Sequence, residues 1–488
     1  MSQKTNQPEE TLDPADWDEV RALAHQMIDH SVDQLSQLRD RPVWQPMPDE
    51  VRKAFKSPVP TKATPLAEVY QEMQKNLTPY PMGNTHPRFW GWYMGASNFT
   101  GALGDFLAAI NGSNLGGGNT SATELDRQVV SWLKDLMGFS ESASGTLTSG
   151  GSMANAIGLN LARNKMAGVD VRREGVTSLP QPLRYYASDQ SHSSSQKALE
   201  LLGLGSNSLR LVPTDAQLRM DLTELKSMIA EDRANGLRPA CVIATAGTTN
   251  AGAIDDSNVI AAICQREGLW FHVDGCIGAL LKLSPQHSRL VAGIEKADSL
   301  ALDLHKWLHA PFEVGCALVR DAKQHFAALN LHGPYLEAKP RGVSAGEFLF
   351  DYSYELTRGF KALKIWMSLK EQGTEKFGRL IDQNIAQAHY LTKLIEDEPK
   401  LELMAPTVIN IVSFRFRGAG GDAAKLKSLN SEIMLRLQEE GTAVITDTTL
   451  QGRYCLRAAI ANHRTKREDL DLLVAEVIRL GEELQAAN

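Results

Sequence analysis

Three features are scarce or missing in this 488-residue sequence, and each absence excludes a class of protein. No stretch approaches ~18 uninterrupted apolar residues, so we expect neither a membrane-spanning helix nor a signal peptide. No block of basic residues stands out against the formal net charge of -7, which argues against nucleic-acid binding. The five cysteines show no CxxC spacing, so no metal site is predicted and a reduced, cytoplasmic protein is expected.

A helix is predicted near the start of the chain. Asp13 is expected to be its N-cap, with Pro14 in the first helical position, and an apolar stripe that includes Trp17 runs along one face. Such a stripe needs a surface to pack against. We assign residues 1–95 to this N-terminal helical segment.

The pattern of the remaining chain predicts an α/β fold. Between about residues 145 and 320, short apolar runs alternate with helical patterns, which is typical of a parallel sheet with crossover helices. A long helical segment follows, and the pattern then changes to strand, helix, strand and helix. We therefore predict a large α/β domain over residues 96–385, with a mostly parallel sheet, and a small C-terminal α+β domain over residues 386–488.

A glycine-rich loop, residues 148–155, follows one short predicted strand and opens a helix. Backbone N–H groups at a helix N-terminus attract anions. Gly150 and Gly151 would let an anion approach closely, and Ser152 would add a hydroxyl group. Ordinary turns before helices have the same composition, so the loop alone does not separate a phosphate site from a turn.

Four polar residues lie at or just beyond the ends of other predicted strands: His192, Thr249, Asp274 and Lys306. The carboxyl ends of parallel strands meet at one edge of a sheet, where ligands bind. Pyridoxal phosphate (PLP) needs a lysine for covalent attachment, an acidic group at its ring nitrogen and a phosphate site. These segments and the glycine-rich loop supply all three, so the sequence predicts a PLP site.

Each of these residues also has a purely structural interpretation. Lys306 and Asp274 could form a buried ion pair, although such pairs contribute little net stability and need another reason to persist. His192 could be a surface residue in the first turn of a helix instead of a proton carrier stacked on a cofactor ring. Thr249 could belong to a tight turn.

Several motifs resemble the group II PLP-dependent amino acid decarboxylases, a family that includes aromatic-L-amino-acid, glutamate and histidine decarboxylases. The motifs are Asp303-Leu304-His305-Lys306-Trp307, His272-Val273-Asp274, the Ser-Asp-Gln-Ser-His-Ser run at 188–193, His86-Pro87-Arg88-Phe89, Thr123-Glu124-Leu125, the run at 360–366 and Leu456-Arg457-Ala458-Ala459-Ile460. Because they occur in order between about residues 14 and 480, the resemblance covers nearly the whole chain.

The resemblance implies an aspartate-aminotransferase-like fold of type I. It also implies a homodimer with the active site at or near the interface and the N-terminal segment wrapped over the partner subunit. Lys306 is implied to carry PLP, Asp274 to pair with the ring nitrogen and His192 to stack on the ring, and these three are the implied catalytic residues. The implied cofactor contacts are Gly150, Gly151, Ser152, His192, Thr249, Asp274, His305 and Lys306.

The sequence departs from the family at three places. Asp303 stands where an asparagine is usual near the phosphate, and it either repels that group or orients His305. The loop 336–358 should carry a tyrosine that protonates the substrate carbon, but Phe348 to Phe350 stand near that position. Gly95 replaces a threonine, and the 111–119 loop lacks an aromatic residue, so the substrate is poorly defined.

The implied function is conversion of an L-amino acid into its amine and CO2. An aromatic substrate is slightly favoured, with Trp92, Tyr93, Gly95 and Tyr352 as candidate substrate residues. Three alternatives stay open: an acidic substrate held by Arg88, oxidation to an aldehyde if the loop tyrosine is absent, and an inactive PLP-binding interaction protein.

Overall fold

A seven-stranded mixed sheet forms the centre of the chain in this computed structural model, which describes residues 10–331, 333, 338–418 and 422–486. Its strands are β1 (Ser144–Thr148), β2 (Leu183–Ser188), β3 (Leu209–Val212), β4 (Arg238–Thr245), β5 (Trp270–Asp274), β6 (Ser299–Asp303) and β7 (Gly315–Val319). They lie in the order β1-β7-β6-β5-β4-β2-β3, and β6, β5, β4, β2 and β3 run parallel. The predicted large, mostly parallel sheet is therefore confirmed.

One strand differs from the expected parallel pattern. β7 pairs antiparallel with both β6 and β1. Only residues 304–314 connect β6 to β7, whereas a parallel return needs a crossover of about a dozen residues or more, usually helical. This short connection carries Lys306, which holds the lysine next to the end of β6.

Helices cover both faces of the sheet, which explains why β5 and β6 consist entirely of buried residues. The helices that precede or accompany the large sheet are α1 (Trp17–Ser36), α2 (Asp49–Ala54), α3 (Leu66–Asn76), α4 (Phe99–Asn111), α5 (Ser121–Met137), α6 (Gly151–Met166), α7 (Val171–Glu174), α8 (Ser194–Leu201), α9 (Leu222–Ala234), α10 (Ser257–Glu267) and α11 (Ala322–Leu329). Of these, α6 crosses the sheet over β5, β6 and β7 and buries most of its length. Among the described residues, no helix is both apolar and long enough to span a bilayer.

A smaller antiparallel sheet forms the C-terminal part. Its strands are β8 (Leu401–Leu403), β9 (Ile411–Phe416), β10 (Thr446–Leu450) and β11 (Arg453–Ala459), in the order β10-β11-β9-β8. Helices α12 (Ala362–Asp397), α13 (Ala423–Glu439) and α14 (Arg467–Ala486) pack against it. The predicted α+β character of this region is confirmed. Helix α12 runs through the predicted boundary at residue 385, and the division into domains stays a prediction.

The first helix begins later than predicted. Asp16 is its N-cap, not Asp13, because the Asp16 carboxylate accepts the N–H groups of Asp18 at 2.8 Å and Glu19 at 3.1 Å. No residue of α1 is buried, and Trp17 is 60% exposed. The predicted apolar stripe is thus present on a helix, and the described part of the chain covers it only partly: Leu23 and Met27 are half-buried, whereas Trp17 and Ile28 are exposed.

Candidate active site

A cavity of about 320 Å³ opens at the carboxyl ends of β2, β4, β5 and β6. Its lining, among the described residues, is Ser149, Gly150, Gly151, Ser152, Met153, Asn155, His192, Ser194, Thr245, Gly247, Thr249, Asp274, Cys276, Ile277, Asp303, His305 and Lys306. Every residue that the sequence assigned to the cofactor borders this one cavity. The separate strand ends and the glycine-rich loop therefore meet as the parallel topology requires.

Lys306 forms its ion pair with Asp303, not with Asp274. Its Nζ lies 2.9 Å from Asp303 Oδ2, and Asp303 is 5% exposed. Burial lowers the pKa of Lys306, but the charge of Asp303 and its hydrogen bond, helped by Cys276 and Asp274, raise that pKa above its ordinary value overall. The ion pair with Asp303, three residues earlier, thus favours the charged form of the Lys306 amine.

Asp274 ends β5 with its carboxylate facing the cavity. Its Oδ2 accepts a hydrogen bond from Asn155 Nδ2 at 3.1 Å, and its Oδ1 accepts the N–H of Cys276 at 3.2 Å. The residue is 6% exposed. Two donors fix the position of this buried carboxylate, which lies where it could pair with a pyridine nitrogen.

His192 lies just before α8, on an exposed edge of the cavity. Its Nδ1 accepts the backbone N–H of Ser194 at 3.1 Å and lies 2.8 Å from the Ser194 hydroxyl. Both contacts are made by Nδ1, and Nε2, the other ring nitrogen, takes part in neither of them. His192 is exposed, as its structural interpretation expects, but it lies two residues before the helix and not in its first turn.

The glycine-rich loop places the N-terminus of α6 at the cavity. Gly151 N–H donates to Asp303 Oδ1 at 2.6 Å, so Asp303 caps this helix end. A Cβ on Gly151 would lie 2.3 Å from Cys276 Sγ, which shows why only glycine fits there. His305 Nε2 lies 3.7 Å from the same Asp303 oxygen, and its Nδ1 accepts the N–H of Val314 at 3.2 Å.

These residues fit PLP. A lysine, a paired carboxylate and the N-terminus of a 16-residue helix border one cavity. The buried Thr245 Oγ1 also borders the cavity and has no hydrogen-bond partner among the described residues. A polar group left unpaired in a cavity wall is what a bound polar ligand would satisfy.

The candidate substrate residues lie elsewhere in the single chain. None of Trp92, Tyr93, Gly95 and Tyr352 belongs to the described cavity lining. Tyr93 is 6% exposed, and its hydroxyl group is hydrogen-bonded to the side chain of Asn410. Tyr93 is thus a core residue, as aromatic residues in such loops often are.

The other three candidates are held by different contacts. Trp92 is 52% exposed, with a φ of 49°. A Cβ on Gly95 would lie 2.2 Å from the carbonyl oxygen of His305 and 2.4 Å from that of Lys306, so this glycine lets the segment pack on the lysine loop. Tyr352 donates to the Glu347 carboxylate. Any substrate contact by these residues stays a prediction.

The loop that was predicted to carry the tyrosine, residues 336–358, is described from residue 338 onward, and residues 336 and 337 lie outside the described residues. Phe348 and Phe350 stack with their ring centroids 4.9 Å apart, and the N–H of Phe350 donates to the carbonyl group of Gly116 at 2.9 Å. The loop therefore packs its aromatic residues against the glycine-rich 116–118 segment.

Sequence reasoning gave no role to Asn155, which lines the cavity, or to Arg457, which contacts the lining residue Thr249. Asn155 is the last residue of the glycine-rich segment 148–155 and lies about one helical turn after Gly151, and only its position facing β5 reveals its role. Arg457 is 2% exposed, and among the described residues no acidic side chain pairs with it. Burial lowers its pKa to about 10. Its Nε donates to the carbonyl group of Thr249 at 2.6 Å, which ties the small sheet to the cavity; an arginine within an apolar strand was the available signal.

Comparison with known proteins gives consistent results. The model of the pyridoxal-dependent decarboxylase conserved domain matches residues 48–417. An aromatic-L-amino-acid decarboxylase of Bacillus atrophaeus is 32% identical over 96% of this chain and 96% of its own length. A phenylacetaldehyde synthase of Arabidopsis thaliana is 28% identical over 94% of each chain. The solved structure of Oryza sativa TDC with PLP and tryptamine superposes with a TM-score of 0.89, at 24% identity, over 97% of this chain and 100% of that one.

Proposed function

The chain belongs to the pyridoxal-dependent decarboxylase family and is a PLP-dependent amino acid decarboxylase, and we propose that its substrate is an aromatic L-amino acid. The decarboxylase activity fits the one cavity that Lys306, Asp274 and the N-terminus of α6 all border, and the observation that carries the proposed substrate class is that Lys306 is the one lysine or arginine in the described lining of that cavity. Its product would be the corresponding amine, together with CO2.

The roles of the residues follow from their positions. When bound, PLP supplies a cationic ring that accepts the electrons of the broken bond. Lys306 would hold it covalently through its neutral amine, the form that the ion pair with Asp303, 2.9 Å from Nζ, disfavours. Asp274 would hold a proton on the ring nitrogen, and His192 would lie against one face of the ring.

The phosphate end of the site would be formed by the N-terminus of α6. Gly150, Gly151 and Ser152 would surround the phosphate group, with His305 beside it. Thr249 would lie near the ring. The Gly151 N–H now used by Asp303 would become available if the Asp303 carboxylate turned toward His305, 3.7 Å away.

The preference for an aromatic substrate rests on the cavity wall and on a relative. Lys306 is the one lysine or arginine in the described cavity lining, and Met153 and Ile277 contribute apolar surface. Arg88, the candidate clamp for an acidic substrate, donates to the carbonyl group of Thr442 at 2.7 Å and lies outside that lining. An aromatic-L-amino-acid decarboxylase is also among the similar proteins.

The test is a substrate panel with product analysis. Purified enzyme with added PLP is given single L-amino acids, aromatic and acidic, and both CO2 and amine are measured. We expect amine and CO2 in equal amounts from an aromatic acid and at least about tenfold less from glutamate or aspartate. Turnover of an acidic substrate alone would reject the proposed substrate class.

Aldehyde formation is the second candidate. A phenylacetaldehyde synthase is among the similar proteins, and phenylalanines occupy positions 348 and 350. Three tyrosines in or next to this loop could supply the proton: Tyr335, which lies outside the described residues, Tyr352 and Tyr354. Each is replaced by Phe, one at a time. Amine from the wild type and ammonia with hydrogen peroxide from one variant would identify the proton donor; ammonia with peroxide from the wild type would establish the aldehyde reaction.

We also propose a cytoplasmic homodimer. Apolar side chains lie exposed on three N-terminal helices: Trp17, Ile28 and Val32 on α1, Leu66, Val69 and Met73 on α3, and Phe106, Leu107 and Ile110 on α4. An apolar surface of this extent is typical of a protein interface. A second copy of the chain would cover it, with the N-terminal segment, residues 1–95, packed on the partner subunit.

A further inference from the structure

A continuous set of buried hydrogen bonds lies behind the cavity, and Asn155 is at its centre. Asn155, on α6, is 1% exposed. Its Nδ2 donates to Asp274 Oδ2 at 3.1 Å and to Ser194 Oγ at 3.2 Å. Ser194 in turn contacts His192 Nδ1 at 2.8 Å. One amide group therefore touches the carboxylate directly and reaches the imidazole through a single hydroxyl.

The other side of the amide is held by strand β5 and its neighbour. Asn155 Oδ1 lies 2.8 Å from His272 Nε2, and His272 Nδ1 lies 2.7 Å from Ser299 Oγ. The same hydroxyl oxygen accepts the indole N–H of Trp270 at 2.8 Å. Trp270, His272 and Asp274 alternate along β5 and so share one face, which explains how a single helix meets all three.

The close approach of α6 to β5 depends on a glycine. A Cβ on Gly158 would lie 2.6 Å from His272 Nδ1. Gly158 and Asn155 are three residues apart and share one helix face. The helix is thus adapted to bring the Asn155 amide into contact with the strand.

The chemistry of the groups fixes the direction of every hydrogen bond. An indole N–H can only donate and an ionised carboxylate can only accept. The NH2 group of Asn155 must therefore face Asp274, which leaves its Oδ1 to accept from His272 Nε2. Because burial lowers the pKa of His272 to about 4, the ring is neutral and its Nδ1 accepts the Ser299 proton.

The same reasoning reaches the ring of His192. The Ser194 hydroxyl accepts from Asn155, so its own proton is free to be donated to His192 Nδ1. That nitrogen also receives the backbone N–H of Ser194 at 3.1 Å. The backbone N–H by itself makes His192 Nδ1 the acceptor and places the ring proton at Nε2, and the Ser194 hydroxyl donates to the same lone pair.

We propose that Asn155 is a positioning residue that couples Asp274 to His192. It holds the carboxylate ready for the ring nitrogen and, by donating to the Ser194 oxygen, directs the Ser194 hydroxyl proton to the imidazole at the ring face. Its amide is prevented from flipping by the hydrogen bonds that join His272, Ser299 and Trp270. The inference rests on the proposed PLP site, but the state of His192 exists without cofactor and can be measured without turnover.

The test compares Asn155→Ala with Ser194→Ala, which removes only the hydroxyl group that links Asn155 to His192. Asn160→Ala is the matched control, because Asn160 is a buried asparagine on the same helix that accepts from Arg163 instead. Ring nitrogen shifts are recorded by NMR on 15N-histidine-labelled, PLP-free protein, with His192→Gln to assign the signal. The PLP dissociation constant is measured separately by titration.

Wild type and the control should show His192 protonated at Nε2 alone. The proton should stay at Nε2 in both variants, because the backbone N–H of Ser194 remains, but Ser194→Ala and Asn155→Ala should each shift the Nδ1 resonance of His192, since the hydroxyl donor is removed in the first and no longer directed at the ring in the second. Only Asn155→Ala should weaken PLP binding, by roughly tenfold or more, because it also removes a donor to Asp274. If Asn155→Ala does not fold, the Nδ1 resonance and the PLP affinity of Ser194→Ala decide. An unchanged Nδ1 resonance of His192 in Ser194→Ala, or unchanged PLP affinity in folded Asn155→Ala, would overturn the proposal. Failure to make amine would not affect the Nδ1 resonance, so the two proposals can fail separately.

Discussion

The carboxyl edge of the large sheet buries polar and charged side chains, whereas the N-terminal helices expose apolar ones. At the sheet edge, Asp274, Asp303 and His272 are at most 6% exposed, and each is held by hydrogen bonds or an ion pair. On the N-terminal helices, Trp17 is 60% and Ile110 is 72% exposed. Soluble chains usually bury apolar groups and leave charges in water.

The two departures have different physical meanings. Buried charges cost free energy unless they are paired, and the pairs seen here yield little net stability, so a ligand must account for them. Exposed apolar side chains cost nothing in hydrogen bonds but gain free energy once a second surface covers them. The sheet edge therefore suits a small molecule, and the exposed helix faces support the proposed second copy of the chain.

The largest expected effect comes from removing the lysine at the sheet edge. In Lys306→Ala, borohydride reduction should leave no covalent PLP, and amine formation should fall at least about a thousandfold. The matched control is Lys282→Ala, because Lys282 has a similarly exposed side chain, 20% against 19%, and also pairs with a carboxylate, that of Glu295. Mass spectrometry of the reduced protein locates the attachment.

Covalent PLP at another lysine in Lys306→Ala would remove the basis of the assigned site. A loss of similar size in Lys282→Ala would show that the effect comes from general damage to an ion pair.

The next effect tests the N-terminal helices. Ile110→Glu puts a charge on the exposed face of α4 and should raise the dimer dissociation constant roughly tenfold or more, since a charge buried at an interface without a partner is strongly unfavourable. Sedimentation velocity over a range of concentrations measures this. Leu211→Glu is the control, since Leu211 is 54% exposed on β3, away from these helices. Equal dimer dissociation constants for Ile110→Glu and Leu211→Glu would contradict the proposed dimer surface.

The sequence predicted the sheet edge better than the contacts behind it. His192, Thr249, Asp274 and Lys306 could be placed together because parallel strands bring their carboxyl ends to one edge. The antiparallel turn of β7 was missed because apolar runs do not encode strand direction. The pairing of Lys306 with Asp303 instead of Asp274 depends on a turn three residues long, and hydrophobic periodicity carries no information about such a contact.

The N-terminal region shows the reverse limit. The apolar stripe from Trp17 was visible in the sequence, but the cap at Asp16 depends on which of several nearby acidic side chains reaches the first N–H groups. Asn155 was missed for a related reason: an asparagine in a helix has no special pattern, and its function comes only from the strand that it faces. The substrate contacts stay predictions: Tyr93 is 6% exposed, and none of the four candidates belongs to the described cavity lining.

The smallest effect concerns Asp303, the residue that joins the lysine to the phosphate end. Burial lowers the pKa of Lys306, but Asp303 and its hydrogen bond raise it overall, so Asp303→Asn should lower that pKa. Covalent attachment needs the neutral amine. PLP uptake by the apoenzyme, followed by absorbance, should therefore be several-fold faster near neutral pH in the variant.

The sign of the pH dependence separates this effect from a change in phosphate binding. At low pH both proteins hold Lys306 charged, and both take up PLP slowly. As pH rises, the variant reaches the neutral amine first, and above the raised wild-type pKa the two rates should converge. A faster rate at all pH values would mean instead that Asp303 acts by repelling the phosphate. Glu295→Gln, which breaks the Lys282 pair, should leave the profile unchanged, because that pair lies outside the described cavity lining.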